Sequence, residues 1–468
     1  MRPSSDAGVF ELYGVGESTA AGEPYGPAMS LANLVNHELG ERADGRRVNV
    51  IDLSRRGESV FPQAAAFGQK LRLRDRRVPG AVLIYTGHND DGVPRAPSIK
   101  ERIEEFFVFR SWLFTDLLFY AEKYMPALRP ALRIQSLRWY ELNMRRLADM
   151  SLASGLVPVL STVVGNRADM GPALGLDSKL EEKEACAILR EGWALEAAGR
   201  YARAIRFYAD QVGLVLRLRP FLEFRLGRCE SRLGRYRAAE RLFRGLRNRQ
   251  FNDYYHCATD WQNDYLRALT RIENVPLVDA AAIFREHSPH GLIGNNLFSD
   301  GHHPNAAGYV LLANAFSEKL AKRFPETSYQ PFESPSDLFR QLGLSKEARA
   351  AALRDAGRWF LSVSADHYAP SERVDLARRR FSRALSLDPD DCSGWIGLGL
   401  ATAAQSCAFM TDPANLDFLR RFHLGYSEYR PSRTDLLGIL EKLRASGVPR
   451  HITRKIEFVC GHSGYASR

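Results

Sequence analysis

The sequence predicts an α/β fold: a doubly wound parallel sheet that is interrupted by helical repeats and followed by a helical C-terminal region. In two stretches of the chain, short apolar runs typical of strands alternate with segments that carry apolar residues at helical spacing. Between these stretches only helical patterns occur, and they repeat after 35 residues. Glycine and polar residues follow the apolar runs, at the strand ends where such a sheet binds its ligands.

Size and composition indicate a multidomain globular protein. A chain of 468 residues, 45% of them hydrophobic, is expected to form two or three domains. The net charge of +10 comes mainly from arginines spread along helices, so we expect no nucleic-acid partner. The sequence shows no apolar run as long as a membrane span and no signal-peptide pattern, which predicts a cytoplasmic location without a transmembrane segment.

The cysteines support the same location. They are widely scattered and contain no CxxC pair, so they predict reduced thiols instead of a disulfide framework or a zinc site. The six are Cys186, Cys229, Cys257, Cys392, Cys407 and Cys460.

The first strand and the first helix enclose a polar turn. Residues 8–12 have the pattern of a strand, and residues 27–39 carry apolar residues at helical spacing. Ser18 therefore lies on the turn, where N–H groups that open a helix can stabilise developing negative charge. A serine that only caps the helix would have the same local sequence. The neighbouring glycines Gly14, Gly16 and Gly22 allow positive φ and close approach to a ligand.

Two further strands end in polar turns. Residues 47–54 alternate apolar and polar side chains, and Gly57 follows in a turn. Residues 80–86 form a continuous apolar run, as in a buried parallel strand, and end in Gly87-His88-Asn89-Asp90. Since the carboxyl ends of parallel strands meet at one edge, Ser18, Gly57 and Asn89 are expected near one another.

An aromatic helical segment covers residues 97–152. Because it follows Asp90 directly, it is either a lid over the sheet edge or a plain packing helix. The fourth strand is predicted at residues 156–164, with Asn166 in the loop that follows.

The inserted helical region repeats a recognisable pattern. Gly199 and Tyr201 recur as Gly234 and Tyr236, and the period of 35 is one residue longer than that of tetratricopeptide repeats. The sheet pattern resumes with a helix at 254–272, a fifth strand at 275–283 and a terminal helix at 305–324. We therefore expect the sheet domain at 1–177 and 253–328, tetratricopeptide-like repeats at 178–252 and a helical, tetratricopeptide-like region at 329–468.

A carboxylate and an imidazole three positions apart complete the pattern. Asp300 can hold one nitrogen of His303, which leaves the other nitrogen to accept a proton from Ser18. His302 could compete for the base, but the Asp-x-x-His spacing selects His303.

Four motifs together resemble the conserved blocks of SGNH/GDSL hydrolases. They are Gly16-Glu17-Ser18, Gly57, Gly87 to Asp90 (GHND) and Asp300 to Asn305 (DGHHPN), and the resemblance covers about residues 8–165 and 253–324. The surrounding sequence is more closely similar to the bacterial subgroup that carries tetratricopeptide repeats. The resemblance implies a flavodoxin-like three-layer domain.

The resemblance also implies the roles of individual residues. Ser18 would be the nucleophile, His303 the base and Asp300 its orienting partner, with no cofactor or metal. Ser18, Gly57 and Asn89 would form the oxyanion hole. Glu17 stands where most members of the family have aspartate. The residues that we expect to bind substrate are Glu17, His88, Asp90 and Asn166.

The expected function is that of a serine esterase or deacylase, which cleaves an ester through an acyl-enzyme. The same residues would serve an O-acyltransferase that transfers the acyl group to a glycan, a lipid or a natural product. A third alternative is a repeat scaffold that binds a protein partner and hydrolyses esters only secondarily.

Overall fold

The computed structural model describes residues 8–90, 92–125, 136–172, 179–214, 218–249, 258–365, 372–410, 412–423 and 432–462. The chain divides into two compact units. The first comprises Met1–Asn166 and Arg247–Leu342, and the second comprises Arg167–Leu246 and Gly343–Arg468. The predicted start of the helix at 254–272 and Cys257 lie outside the described residues.

The first unit contains a six-stranded sheet. Its strands are β1 (Val9–Gly16), β2 (Arg42–Ala43), β3 (Arg46–Asp52), β4 (Gly80–Tyr85), β5 (Val157–Ser161) and β6 (Leu277–Val278). They lie in the order β2-β3-β1-β4-β5-β6, and every neighbouring pair is parallel except β2 with β3. The predicted α/β fold with a mainly parallel sheet is confirmed.

Helices account for most of the remaining described residues. In chain order they are α1 (Leu31–Glu38), α2 (Val60–Leu71), α3 (Ile99–Val108), α4 (Trp112–Tyr124), α5 (Leu137–Ala153), α6 (Lys179–Ala197), α7 (Tyr201–Leu214), α8 (Arg219–Arg232), α9 (Tyr236–Arg249), α10 (Asp260–Ile272), α11 (Ala280–Glu286), α12 (Ala306–Arg323), α13 (Pro335–Gln341), α14 (Lys346–Ala365), α15 (Glu372–Leu387), α16 (Cys392–Ala403), α17 (Cys407–Met410), α18 (Pro413–His423), α19 (Arg433–Ala445) and α20 (Arg450–His462).

The path of the chain through the sheet creates a crevice beside β1. The chain moves from β1 to β3 on one side and then crosses to β4 on the other side of β1. Because such crossovers are right-handed, this reversal puts α1 and α2 on opposite faces. The carboxyl ends of β1 and β4 therefore flank the point where the strand order reverses, which is where open α/β sheets bind ligands.

Burial within the sheet follows the sequence. All six residues of β4 are buried, as expected for a continuous apolar run that helices cover on both faces. The fifth predicted strand is shorter than residues 275–283 because α11 begins at Ala280. The Asp279 side chain accepts a hydrogen bond from the Ala282 N–H and thereby caps α11, and the alanines that follow favour a helix.

The 35-residue period of the insertion has a structural counterpart. Gly199 and Gly234 both have left-handed backbone conformations, with φ of 68° and 75°, and each ends a helix two residues before a tyrosine begins the next. A side chain at Gly192 would collide with the Tyr208 ring, and 35 residues later one at Gly227 would collide with the Phe243 ring. These matched contacts set the close crossing of the paired helices.

The cysteine prediction was wrong in the second unit. Cys392 at the start of α16 and Cys460 in α20 form a disulfide, with their Cα atoms 5.1 Å apart. Cys186 is also disulfide-bonded. The Cys392–Cys460 bond could not be predicted from local spacing, because 68 positions separate the two residues. The packing of α16 against α20 brings them together. Since disulfides persist mainly in oxidising environments, the cysteines do not support a cytoplasmic location.

Across the described part of the chain, no helix combines the length and the apolar character needed to cross a bilayer.

Candidate active site

Ser18, His303 and Asp300 form a continuous hydrogen-bonded chain. The Ser18 Oγ lies 2.7 Å from Nε2 of His303, and Nδ1 of the same imidazole lies 2.7 Å from an Asp300 carboxylate oxygen. All three residues are buried. With the Nδ1 proton donated to Asp300, Nε2 is the acceptor for the serine hydroxyl.

The serine is held on the turn that follows β1. The Ser18 carbonyl accepts a hydrogen bond from the Glu23 N–H. The buried Tyr309 hydroxyl, on α12, donates within 2.8 Å of the Thr19 carbonyl and 2.7 Å of the Glu23 carbonyl. Because a hydroxyl has a single proton, the two carbonyls share this donor. Tyr309 thus braces both ends of the turn.

The glycines around Ser18 serve different purposes from one another. Gly22 has a φ of 94°, as expected. Gly14 and Gly16 lie inside β1, and the prediction of positive φ there was wrong. They are required because a side chain at Gly16 would collide with the Tyr85 carbonyl, and one at Gly14 would approach the Asp52 carboxylate.

The loop before α12 presents the imidazole. One Asp300 carboxylate oxygen accepts hydrogen bonds from the backbone N–H groups of His302 (3.0 Å) and His303 (2.9 Å), and the other binds the His303 ring. The Asn305 side chain then caps α12 by accepting from two backbone N–H groups. The three-residue spacing therefore lets one carboxylate fix both the loop and the ring.

Asn166 supports this loop through hydrogen bonds. It is fully buried, its N–H donates to the Gly301 carbonyl and its side-chain amide donates to the Asp300 carbonyl. The amide also donates to the Asn295 side chain. These contacts join Asn166 to the loop that carries Asp300, and the substrate binding suggested by the sequence stays a prediction.

Ser18, Gly57 and Asn89, the expected oxyanion donors, lie in the turns that follow β1, β3 and β4. No described residue accepts a hydrogen bond from the backbone N–H of Ser18 or of Gly57. Gly57 adopts a φ of 70°, which only glycine takes readily. The Asn89 side chain donates to the Glu58 carbonyl, so Asn89 is attached to the Gly57 loop.

Glu17 lies beneath the loop that carries Asn89. Its buried carboxylate accepts hydrogen bonds from the Thr86 hydroxyl and from three consecutive backbone N–H groups, those of Gly87, His88 and Asn89. Burial raises the pKa of Glu17 to about 7, although these hydrogen bonds favour the ionised form. Glu17 thus holds the loop that carries Asn89, and the substrate-binding role suggested by the sequence stays a prediction.

His88 and Asp90 also act within the protein. Both carboxylate oxygens of buried Asp90 accept from the Val60 N–H, which opens α2 next to the Gly57 loop. His88 is 2% exposed, its Nδ1 accepts from the Ala258 N–H, and its ring lies 4.9 Å from that of His302. The expectation that these residues bind substrate does not match these contacts.

The electrostatics favour a base paired with an ionised acid. Burial alone would lower the pKa of His303, but the charge and hydrogen bond of Asp300 outweigh it, and Glu23 and Glu17 add to the effect, so the pKa is raised. Burial would raise the pKa of Asp300, yet His303 and the backbone donors hold it below its ordinary value. The imidazolium that forms when His303 accepts a proton is therefore stabilised.

Two features near the serine were missed from the sequence. One is Tyr309, which the sequence assigned only to the helix predicted at 305–324. The other is the ion pair between the buried Glu23 carboxylate and the half-exposed Arg56 side chain. Arg56 precedes Gly57, so this pair joins the serine turn to the Gly57 loop. A buried glutamate next to a proline offered no local signal for it.

Comparisons with known proteins include a weak structural similarity to a solved structure. No protein-family model matches the chain, and no curated protein matches it. A solved structure of a protein from Desulfitobacterium hafniense DCB-2, assigned as lipolytic to the G-D-S-L family, aligns with a TM-score of 0.30 and 10% sequence identity. The alignment covers 66% of this chain and 98% of that one. A TM-score this low carries no inference about this chain, whose function is inferred below from the geometry of the site.

Proposed function

We propose that the chain is a serine hydrolase of the SGNH/GDSL type that cleaves an ester. The observation that carries the proposal is the chain of two 2.7 Å contacts from Ser18 through His303 to Asp300. Such a chain lets a serine hydroxyl attack a carbonyl while the imidazole accepts its proton. The N–H groups of Ser18 and Gly57 support it, because they donate to no described residue.

In the acylation step, the Ser18 oxygen forms a bond to the ester carbonyl carbon and its proton moves to Nε2 of His303. The carbonyl oxygen becomes negatively charged and accepts hydrogen bonds from the N–H groups of Ser18 and Gly57 and from the Asn89 amide. When this intermediate collapses, the bond to the leaving alcohol breaks and the imidazolium returns the proton to that alcohol. An acyl group remains on Ser18.

In the deacylation step, His303 accepts a proton from water as the water oxygen attacks the acyl carbon. The same donors hold the oxyanion, and collapse releases the carboxylic acid and restores the Ser18 hydroxyl. Asp300 stays ionised throughout and keeps the imidazole in the required tautomer.

The experiment compares Ser18→Ala and His303→Ala with the unchanged protein on an aryl acetate. We expect hydrolysis to fall by several orders of magnitude in both variants, because members of such a unit act together. A fluorophosphonate should label the unchanged protein and not Ser18→Ala. Hydrolysis by Ser18→Ala at the original rate, without labelling, would contradict the proposal. Ser59→Ala is a matched control, since Ser59 is another buried serine, directly before α2, and its side chain makes no capping hydrogen bond.

The acceptor of the acyl group is settled by the same assay. Water makes the enzyme an esterase, and an alcohol makes it an O-acyltransferase with an identical first step. Adding glycan, lipid and small-molecule alcohols to the assay distinguishes the two, because transfer yields a new ester while hydrolysis yields the free acid. We favour hydrolysis, since water requires no acceptor site.

We also propose that α6 to α9 are two tetratricopeptide-like units that bind a protein partner. The support is the 35-residue recurrence of the left-handed glycines and of the glycine–aromatic contacts. Affinity capture with the full chain, compared with a variant carrying Tyr208→Ala and Phe243→Ala, tests this role. Partner loss with unchanged ester hydrolysis is the expected result.

A further inference from the structure

The helix α3 exposes the side that would ordinarily be buried. Ile99, Ile103, Phe106 and Phe107 follow helical spacing and are all exposed, Ile99 by 79%. The opposite side is buried and contains two glutamates, Glu101 and Glu104. Each of these carboxylates is paired, with Arg95 and Lys100 respectively. The amphipathic character of α3 is therefore inverted relative to the core.

The next helix continues this apolar exposure. Leu113, Leu117, Tyr120 and Tyr124 in α4 recur at intervals of three or four and are all exposed, Leu113 by 71% and Leu117 by 59%. Apolar residues on the other side, Leu118 and Phe119 among them, are buried. Two successive helices thus each leave an apolar stripe in contact with solvent, which marks an interaction surface.

The exposed charges on α3 and α4 are all positive among the described side chains. Among the described side chains of residues 99–125, each exposed one is apolar, aromatic or basic. The side chains of Glu105 and Asp116 are mostly buried and are paired with Arg138 and Arg72.

Three basic side chains on the same helices have no acidic partner. No described carboxylate forms an ion pair with Arg102, Arg110 or Lys123. The Arg110 guanidinium lies 4.2 Å from the centre of the Phe106 ring, so a positive charge sits directly beside the exposed aromatic stripe.

We propose that this α3–α4 surface, made of the exposed residues of 99–125, docks onto an anionic phospholipid bilayer. Aromatic and aliphatic side chains beside lysines and arginines are the composition of helices that lie in the interfacial region of a membrane. The apolar stripes enter the acyl boundary, while Arg102, Arg110 and Lys123 contact lipid phosphates. The absence of a spanning helix among the described residues is consistent with attachment from one side.

A second copy of the chain fits this surface less well. In a two-fold dimer the same surface faces itself. Arg102, Arg110 and Lys123 would then meet their own copies, with no exposed acid among the described side chains of residues 99–125 to offset the repulsion. Nucleic acid would use the basic residues but would leave exposed isoleucine and leucine without a contact.

The surface is attached to α2, the helix that follows the loop of the candidate oxyanion donor Gly57. Val108 of α3, Leu118 of α4 and Trp139 of α5 form a buried cluster with Phe61, which is the second residue of α2. The preceding residue, Val60, is the one capped by Asp90 next to the Gly57 loop. Docking would therefore bring the bilayer to a hairpin that packs on the start of α2. Lipid binding itself does not depend on the proposed hydrolysis.

The test is flotation of the full chain with two kinds of vesicles, phosphatidylcholine alone and phosphatidylcholine mixed with phosphatidylglycerol. We expect flotation only with the mixed vesicles and less of it at high salt. The variant Leu113→Glu/Leu117→Glu should bind at least about tenfold more weakly, because each leucine loses its transfer into the acyl region. Replacing Arg102, Arg110 and Lys123 by glutamine should weaken binding roughly fivefold for each charge removed.

The matched control is Leu73→Glu/Ile272→Glu. These two side chains are 96% and 72% exposed on the same unit but lie outside the α3–α4 surface, so vesicle binding should be unchanged. An equal loss in the control, or no flotation of the unchanged protein, overturns the proposal. Dimerisation abolished by Leu113→Glu/Leu117→Glu without flotation would assign the surface to a second copy. Nucleic-acid binding without flotation would overturn the proposal as well.

Discussion

The Ser18 hydroxyl and Nε2 of His303 are 2.7 Å apart although 285 positions separate the two residues. One follows β1 and the other precedes α12, and the Tyr309 hydroxyl on α12 binds back to the serine turn. The Ser18–His303 pair is thus held by contacts between the N-terminal and the C-terminal segments of the first unit. The long inserted segment lies between them in sequence without interrupting this contact.

Replacing Asp300 by asparagine should lower kcat and move the acid limb of the pH profile. Asp300 raises the pKa of His303, and only the neutral imidazole can accept the Ser18 proton. Activity of the unchanged protein should therefore be lost as the pH falls through that raised pKa. In Asp300→Asn this limb of kcat/KM moves to lower pH, while kcat falls by about 10²–10⁴-fold because the tautomer is no longer held.

Asp264→Asn is the control for this experiment, since Asp264 is an exposed, ion-paired carboxylate of the same unit. A profile of Asp300→Asn with an unshifted acid limb would remove Asp300 from the role of orienting partner.

Replacing Asn89 by alanine should reduce kcat by on the order of a hundredfold with little change in KM. The Asn89 amide has two N–H hydrogens and can donate to Glu58 and to a second acceptor at once. Its effect on catalysis comes from charge that develops only in the transition state. Steady-state kinetics on an aryl acetate measure both constants. A change confined to KM would instead make Asn89 a substrate-binding residue.

Replacing Glu17 by glutamine should alter stability in a pH-dependent way. The pKa of Glu17 is about 7 in the folded protein and 4.5 as the ordinary value. At a pH between these two pKa values, Glu17 is protonated in the folded protein and ionised in the unfolded chain. The free energy of unfolding therefore falls as the pH rises through this range. Between about pH 5 and about pH 8, the free energy of unfolding of the unchanged protein should fall by at most about 3 kcal/mol more than that of Glu17→Gln.

Urea denaturation of both proteins across that range measures the difference. Glu17→Gln should also lower kcat, because the amide cannot accept all the donors of the loop that carries Asn89. A stability difference that is the same at every pH would show that Glu17 does not titrate in this window.

Removing the disulfide should destabilise the second unit. The Cys392–Cys460 bond closes a loop of 68 residues, for which the loss of chain entropy in the unfolded state predicts a contribution of roughly 4 kcal/mol. Cys392→Ser/Cys460→Ser should therefore unfold at lower temperature. Mass spectrometry of the unchanged protein after thiol blocking should find both residues unmodified. Two blocked thiols would contradict the bond.

Tertiary structure alone decided where the polar side chains around the site point. The GHND motif, from which Asn89 was predicted, also contains His88 and Asp90. The His88 ring is buried against His302, and Asp90 caps α2. Periodicity reports how a segment is buried, but it contains nothing about which distant backbone group a buried carboxylate will accept. The substrate-binding role expected for these residues therefore stays a prediction, and the contacts found for them lie within the protein.

The sequence by itself determined the local framework. A short continuous apolar run flanked by glycines is typical of a covered strand, so β4 and the polar turn after it could be predicted, and the spacing of Asp300 and His303 favoured their contact within one loop. Tertiary structure decided the contacts that join segments far apart in the chain. Among them are the Tyr309 brace on the serine turn, the position of Glu17 beneath the loop after β4, and the Cys392–Cys460 bond. Such contacts depend on the register and packing of elements whose partners no local pattern specifies.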